Sequence, residues 1–277
     1  MSVFLRPATL TEAITGLAGP GVRVLAGGTD LYPAAQGAAL AGSVIDIAGL
    51  RELQGISWHD DGLRIGACTT WTQLMQADLP PALSALQAAA RQVGGWQIQN
   101  AGTVGGNLCN ASPAADGVPP LLACDAVVEV AGPQGLRRMD LSAFITGPRK
   151  TALHPGEMLV AVLIPAAGLD GRSAFLKLGA RAHLVISIAM VAVRIVVREG
   201  VVTRAALAVG SASPVARRLP VVEAALVGLP TAQAAAAIEA AEVAAALSPI
   251  DDIRAPAAYR TEAAVTLLRR AVAEAVA

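Results

Sequence analysis

Two short stretches carry residue types suited to receiving an anion. Ala101–Asp116 reads AGTVGGNLCNASPAAD: Thr103-Val104 lead into the pair Gly105-Gly106, short polar Asn107, Asn110 and Ser112 follow, and Asp116 closes it. Where side chains are nearly absent, backbone N–H groups lie bare, and paired glycines beside small hydroxyls can form a phosphate nest. A Gly-Gly pair equally makes a tight turn with no ligand. The other stretch, Ala26–Leu31, reads AGGTDL and follows the apolar run Val22–Leu25. A strand that exits through a glycine turn into a short polar residue gives a phosphate room to approach. Neither G-x-G-x-x-G nor Gly-Lys-Ser/Thr occurs there, so it is not a Rossmann or Walker loop. Two such loops could grip one diphosphate from two sides, with Thr29 and Thr103 adding hydroxyl donors and Asn107 an amide.

Other chemistry is sparse. The histidines His59, His154 and His183 have no metal-ligand spacing, and no Ser-His-Asp set is visible. Cys68, Cys109 and Cys124 include no C-x-x-C pair, so neither an iron–sulfur cluster on this chain nor a disulfide framework is expected. Unpaired thiols suit a reducing cytoplasm. Lys+Arg and Asp+Glu both number 21, which removes the electrostatic case for nucleic acid. No signal peptide is expected in Met1–Gly16. The apolar run Leu184–Val197 is broken by Ser187 and Arg194, so no membrane insertion is expected.

The elements that must position the two stretches follow from periodicity and breakers. Phe4-Leu5, Val22–Leu25 and Val44–Ile47 are predicted strands. A helix capped by Thr9 and Glu12 runs to about Ala18, and a short one covers Leu31–Gln36. This makes a small βαβ-like unit ending near residue 55. Ile56–Trp58 and Leu63–Ile65 flank a hairpin turn. Helices are expected from Thr69 or Thr70 to about Ala77, over Ala82–Gln92 and over Val118–Cys124. Ala126–Val130 and Leu159–Ile164 are further strands. Beyond Gly168–Gly171, Leu184–Val197 and Val201–Val209 predict a long antiparallel hairpin, followed by helices at about 215–227, 231–247 and 256–275. With 277 residues, 54% of them hydrophobic and only 3% aromatic, the chain can fill two cores with Ala, Val, Leu and Ile.

AGGTDL and TVGGNLCNASPAAD closely resemble the FAD-binding medium subunits of molybdenum hydroxylases, the xanthine and carbon monoxide dehydrogenase family. The resemblance runs the whole chain, through LVAVLIP at 159–165, FLKLGAR at 175–181 and PIDDIRAPAAYR at 249–260. It implies an α+β fold. A two-part FAD-binding domain of the PCMH (vanillyl-alcohol-oxidase-like) type would occupy residues 1–170, with subdomains of about 1–55 and 56–170. A C-terminal α+β domain of the CO-dehydrogenase-flavoprotein type, antiparallel sheet plus helices, would occupy 171–277.

The resemblance also implies non-covalent FAD. Its contacts would come from Val24, Leu25, Ala26, Gly27, Gly28, Thr29, Asp30 and Leu31, and from Thr103, Val104, Gly105, Gly106, Asn107, Ser112 and Asp116. Val93 and Leu159 would lie by the flavin, and Lys177 would reach its polar edge. Asp116 could instead cap the helix that follows it. The animal-type enzymes carry an aromatic where Val93 stands and acids where His183-Leu184 stand. Electrons would pass from a molybdopterin large subunit through two [2Fe-2S] clusters of a small subunit to this FAD, and on to NAD or another acceptor. A dimer of heterotrimers and a purine or other N-heterocycle substrate are implied. The rival enzyme is a stand-alone flavin oxidase of the covalent-flavin family, whose first glycine loop carries His where this chain has Thr29. A nucleotide-binding module without redox chemistry is the rival from another class.

Overall fold

A computed structural model describes residues 3–37, 40 and 42–277. Three of the four sheets among the described residues organise it. Phe4–Leu5, Val44–Asp46 and Arg23–Leu25 form a parallel three-stranded sheet with Val44–Asp46 in the middle. Helix Leu10–Gly16 begins at Thr9, whose hydroxyl accepts the Glu12 N–H at 3.2 Å. The Glu12 carboxylate accepts from Ala8 N at 2.7 Å, so the reciprocal bond falls one residue before the cap. At Thr70 the capping box is complete, with Gln73 returning to the cap N–H, and it opens helix Trp71–Gln76.

The second sheet is antiparallel, in the order Ile56–His59, Gly62–Gly66, Met158–Pro165, Val127–Gly132, Gly135–Asp140. Its inner face and the helices Trp71–Gln76, Ser84–Ala90 and Val118–Ala123 share one core, with Ile65, Leu74, Leu86, Leu121, Val128 and Val162 fully buried. Arg137 stitches its far edge to the residue just before the central strand: Nε and Nη2 donate to Glu157 at 2.7 and 2.6 Å.

The third sheet, Arg172–Leu178, Ala189–Arg198, Val201–Gly210 and Arg217–Arg218, is antiparallel and buried on both faces. Val191, Val193 and Leu207 pack under helix Ala257–Val276. Phe175, Met190, Ala192 and Ala206 pack against Ala85, Ala89 and Ala123 of the neighbouring helices. Strands covered on both sides read as continuous apolar runs, which is why this hairpin lacks alternation. Alanine at the contact lets a helix lie close to the sheet with few aromatics. Arg194, 2% exposed, is the polar exception: it donates to Ala123 O at 2.7 Å and to Asp125 at 2.8 Å. No helix among the described residues is long and apolar enough to cross a membrane.

Four expectations need correcting. The glycine stretch is not a loop: Trp96–Ala101 and Val104–Asn110 are helices, the latter capped by the Thr103 hydroxyl. The long hairpin starts at Ala189, not Leu184, because Leu184 turns through φ +51° and its carbonyl is held by Arg181. The helix expected over 231–247 splits into Thr231–Ala234 and Ala240–Ala246. Between them Ile238 is fully buried and its carbonyl accepts from Arg269 at 2.8 and 3.2 Å, which draws that backbone group out of any helical ladder. The helix expected from 215 begins at Pro220, since Arg217-Arg218 pair with Ala208-Val209 as an edge strand.

Two measurements check this packing. A Cβ on Gly105 would stand 2.7 Å from the Cβ and carbonyl oxygen of Ala67. Gly105→Ala is therefore expected to cost about 2 kcal/mol through overpacking, read as a lower urea midpoint; an unchanged midpoint contradicts the contact. The Arg137 guanidinium beside Glu157 lowers that carboxyl from its ordinary 4.5 to about 2. A depressed folded-state pKa means the stabilisation is complete above pH 4.5 and is lost as pH falls toward 2. The stability advantage of the wild type over Glu157→Gln should shrink by about 1–2 kcal/mol across that window. Parallel acid limbs for the two proteins would contradict it.

Candidate flavin site

A cleft of about 520 Å³ opens between the parallel sheet and the helices that follow the antiparallel hairpin. That volume suits an extended small-molecule ligand. One wall is the turn Ala26–Leu31, where the chain leaves strand Arg23–Leu25 and Gly28 takes φ +71°. The facing wall is Gly102–Thr103, Gly105–Asn107 and Asn110. The two glycine stretches touch backbone to backbone: a Cβ on Gly27 would lie 1.8 Å from Ala101 O and 3.0 Å from Gly102 Cα. Gly27 is thus required by this crossing, and Gly28 by its left-handed backbone.

The donors are unequally placed. On the facing wall the amides are already used: Val104 N donates to Thr69 O at 3.0 Å, Gly105 N to Ala67 O at 2.8 Å and Asn107 N to Thr103 O at 3.0 Å. Gly106 N donates to the Thr103 hydroxyl at 3.0 Å. The expectation of bare N–H groups around Gly105-Gly106 is therefore wrong. Capping and packing consume them, and the glycines there supply close approach. In the first turn the amides of Gly27, Gly28, Thr29 and Asp30 and the Thr29 hydroxyl donate to no acceptor among the described residues. Unspent amides converging at one turn form a cradle for anionic oxygens.

Charge is nearly absent from the walls. Among the described residues Asp30 and Glu157 are the only carboxylates and no Lys, Arg or His lines the cleft, and Glu157 is already held by Arg137. Val93, Ile98, Leu153, Met158 and Leu159 provide an apolar surface, with Trp71 behind the facing wall. A ligand with a diphosphate and a flat apolar ring fits this division between amide cradle and greasy slot. Asn107 lines the cleft and its Oδ1 is buried with no hydrogen-bond partner, a further polar atom left over by the protein.

Thirteen of the sequence-predicted residues line the cleft: Val24, Ala26, Gly27, Gly28, Thr29, Asp30, Leu31, Val93, Thr103, Gly105, Gly106, Asn107 and Leu159. Leu25 and Val104 point into the core, 4% and 0% exposed. The Ser112 hydroxyl accepts from Ala114 N at 3.2 Å, away from the cleft. Asp116 caps no helix; its oxygens accept from Lys177 Nζ and Ser187 Oγ, both at 2.7 Å. Burial holds the Asp116 carboxyl above its ordinary range, an effect that Lys177 and Ser187 oppose without reversing. Lys177 also donates to Gln92 O at 3.3 Å, beside Val93, so it braces the wall from behind. His183 is exposed near Lys177, outside the cleft. Sequence reasoning missed Ile98, Trp71 and Leu153, ordinary apolar positions without a signal. Glu157-Met158 adjoin Leu159 and could have been found from it.

Residues 1–167 match the FAD binding domain in molybdopterin dehydrogenase, and residues 174–275 the CO dehydrogenase flavoprotein C-terminal domain. The xanthine dehydrogenase FAD-binding subunit of Escherichia coli O157:H7 is 43% identical over 58% of this chain and 56% of its own length. The carbon monoxide dehydrogenase medium chain of Afipia carboxidovorans is 31% identical over 98% of this chain and 96% of its own. A crystal structure of the Cu,Mo-CO dehydrogenase superposes with a TM-score of 0.92 at 29% identity, covering 100% of this chain and 98% of the other. The chain belongs to the FAD-binding medium subunits of the xanthine and carbon monoxide dehydrogenase type of molybdenum hydroxylase, and is an oxidoreductase subunit.

Proposed function

We propose that this chain holds FAD non-covalently in the cleft and serves as the electron relay of a heterotrimer. Two partners would complete it, an iron–sulfur small subunit and a molybdopterin large subunit, with the trimers pairing in the cytoplasm. When bound, FAD supplies the two-electron store that joins one-electron [2Fe-2S] clusters to an acceptor such as NAD. The oxidised substrate, a purine or other N-heterocycle, is bound elsewhere. Among the described residues no group of His, Cys, Asp or Glu is arranged to hold a metal ion.

The residues divide the binding. The amides of Gly27–Asp30 and the Thr29 hydroxyl take the diphosphate oxygens. Gly106 permits close approach, and the Thr103 and Asn107 side chains reach polar atoms of the cofactor. Val93 and Leu159 wall the ring and exclude water. Asp116 and Lys177 act from behind, by fixing the Gln92–Val93 backbone. The FAD-binding part spans 1–170 and the C-terminal part 171–277. The observation that carries this reading is a turn of four unspent amides lining a cleft that has no Lys, Arg or His among its described lining residues.

A FAD titration of the purified chain tests it. The wild type should bind one FAD per chain, all of it released by acid precipitation. Gly106→Val places a branched side chain against Thr103 Oγ1, which a Cβ alone would approach to 2.8 Å, and should weaken FAD binding by about 100-fold or more. Its apoprotein should keep the wild-type circular dichroism. Full flavin occupancy in that variant contradicts the assignment.

A further inference from the structure

The last landmark of the sequence, PIDDIRAPAAYR, lies on the far side of the third sheet and lines no part of the cleft. Its Arg260 is nonetheless fully buried. The guanidinium is held by Asp252, with Nη2 donating to Oδ1 at 2.6 Å. Nη1 donates to two carbonyls, Ile188 O at 2.6 Å and Ser211 O at 3.0 Å. Arg254, paired with the same Asp252, donates to Ser187 O at 3.1 Å. A planar guanidinium presents donors in a fixed fork, so it sets the spacing between the carbonyls it joins.

Both segments gripped this way reach the end of the facing wall. The Ser187 hydroxyl donates to Asp116 Oδ1 at 2.7 Å, and Ser211 N donates to Pro113 O at 3.0 Å. Ser211 takes φ +63°, a conformation a serine keeps only when its surroundings fix it. The turn so held, Pro113–Gly117, backs directly onto the cleft. A Cβ on Gly117 would come within 2.5 Å of the Trp71 ring and 2.9 Å of Asn107 Oδ1. Asp116 also steadies Lys177, whose Nζ bonds Gln92 O next to Val93.

We propose that Arg260 is a positioning residue for the flavin cleft, acting through the Ser187–Ile188 segment, which it grips at Ile188 O, and through Ser211 on the Pro113–Gly117 turn. The proposal rests on the cleft being the FAD site and extends that site to a latch in the C-terminal part. It makes the C-terminal helix a determinant of cofactor affinity, with no contact to the cofactor.

The test compares Arg260→Lys, Ser187→Ala, the double variant and a control, Arg269→Lys, in the full chain. Arg269 lies on the same helix and holds Ile238 O, and neither residue lines the cleft. Wild type and control should bind FAD alike and show the same visible circular dichroism of the bound flavin. Arg260→Lys and Ser187→Ala should each weaken FAD binding by about tenfold and alter that flavin signal. The double variant should weaken it by much less than the product of the two, because both act along one chain of contacts. If Arg260→Lys does not fold, Ser187→Ala against the control carries the comparison. Unchanged affinity and flavin signal in Ser187→Ala, or loss in the control equal to that in Arg260→Lys, would overturn the latch. A wild type that binds no FAD would overturn the cleft assignment itself, which the wild-type titration reads separately.

Discussion

The site depends on one backbone crossing. At Gly27 the turn leaving the parallel sheet meets Ala101 and Gly102 so closely that a Cβ would overlap the Ala101 carbonyl at 1.8 Å. No residue but glycine fits there. The crossing brings a turn with unspent amides against a helix whose amides are all used. Separate the two by the width of one methyl group and the cleft loses its shape.

The charge distribution follows from the same arrangement. With no Lys, Arg or His among the described residues of the cleft walls, an anionic ligand there must be held by dipoles. The cation nearest this logic, Lys177, is spent on Asp116: their side chains are 5% and 9% exposed and 2.7 Å apart. A buried pair of this kind adds little net stability, since desolvation offsets most of the attraction, but breaking one member leaves a buried charge uncompensated. Its service is to fix geometry. It ties the Pro113–Gly117 turn to strand Arg172–Leu178 and to the wall at Gln92, so the two parts of the chain share one rigid seam.

How much of this was legible in the sequence varied with distance along the chain. Strand Arg23–Leu25 and its glycine exit were plain from an apolar run that stops at Gly-Gly. Helix Val104–Asn110 was hidden by its glycines, although Thr103 as a cap and Val104 and Leu108 at i, i+4 spacing, both 0% exposed, carried the helical signal. Strand Ala189–Arg198 was readable as one arm of a hairpin from an apolar run broken within it only by Arg194, but its start was not, because Arg181 fixes Leu184 through side-chain bonds that no local pattern shows. The break at Ile238 depends on Arg269, and the Asp116–Lys177 pair joins residues far apart in the chain. Such contacts exist only once the sheets have stacked. The two glycine stretches named by the resemblance do meet at one cleft, yet the resemblance did not tell which stretch keeps its amides free.

That division of donors is the central claim, and backbone hydrogen exchange measures it directly. Without FAD, amides in Gly27–Asp30 should exchange fast, while those in Val104–Asn107 exchange slowly because each is bonded within the protein. Adding FAD should slow exchange chiefly in Gly27–Asp30. Fast exchange in Val104–Asn107 before FAD is added, with protection appearing there and not in Gly27–Asp30, would contradict the account.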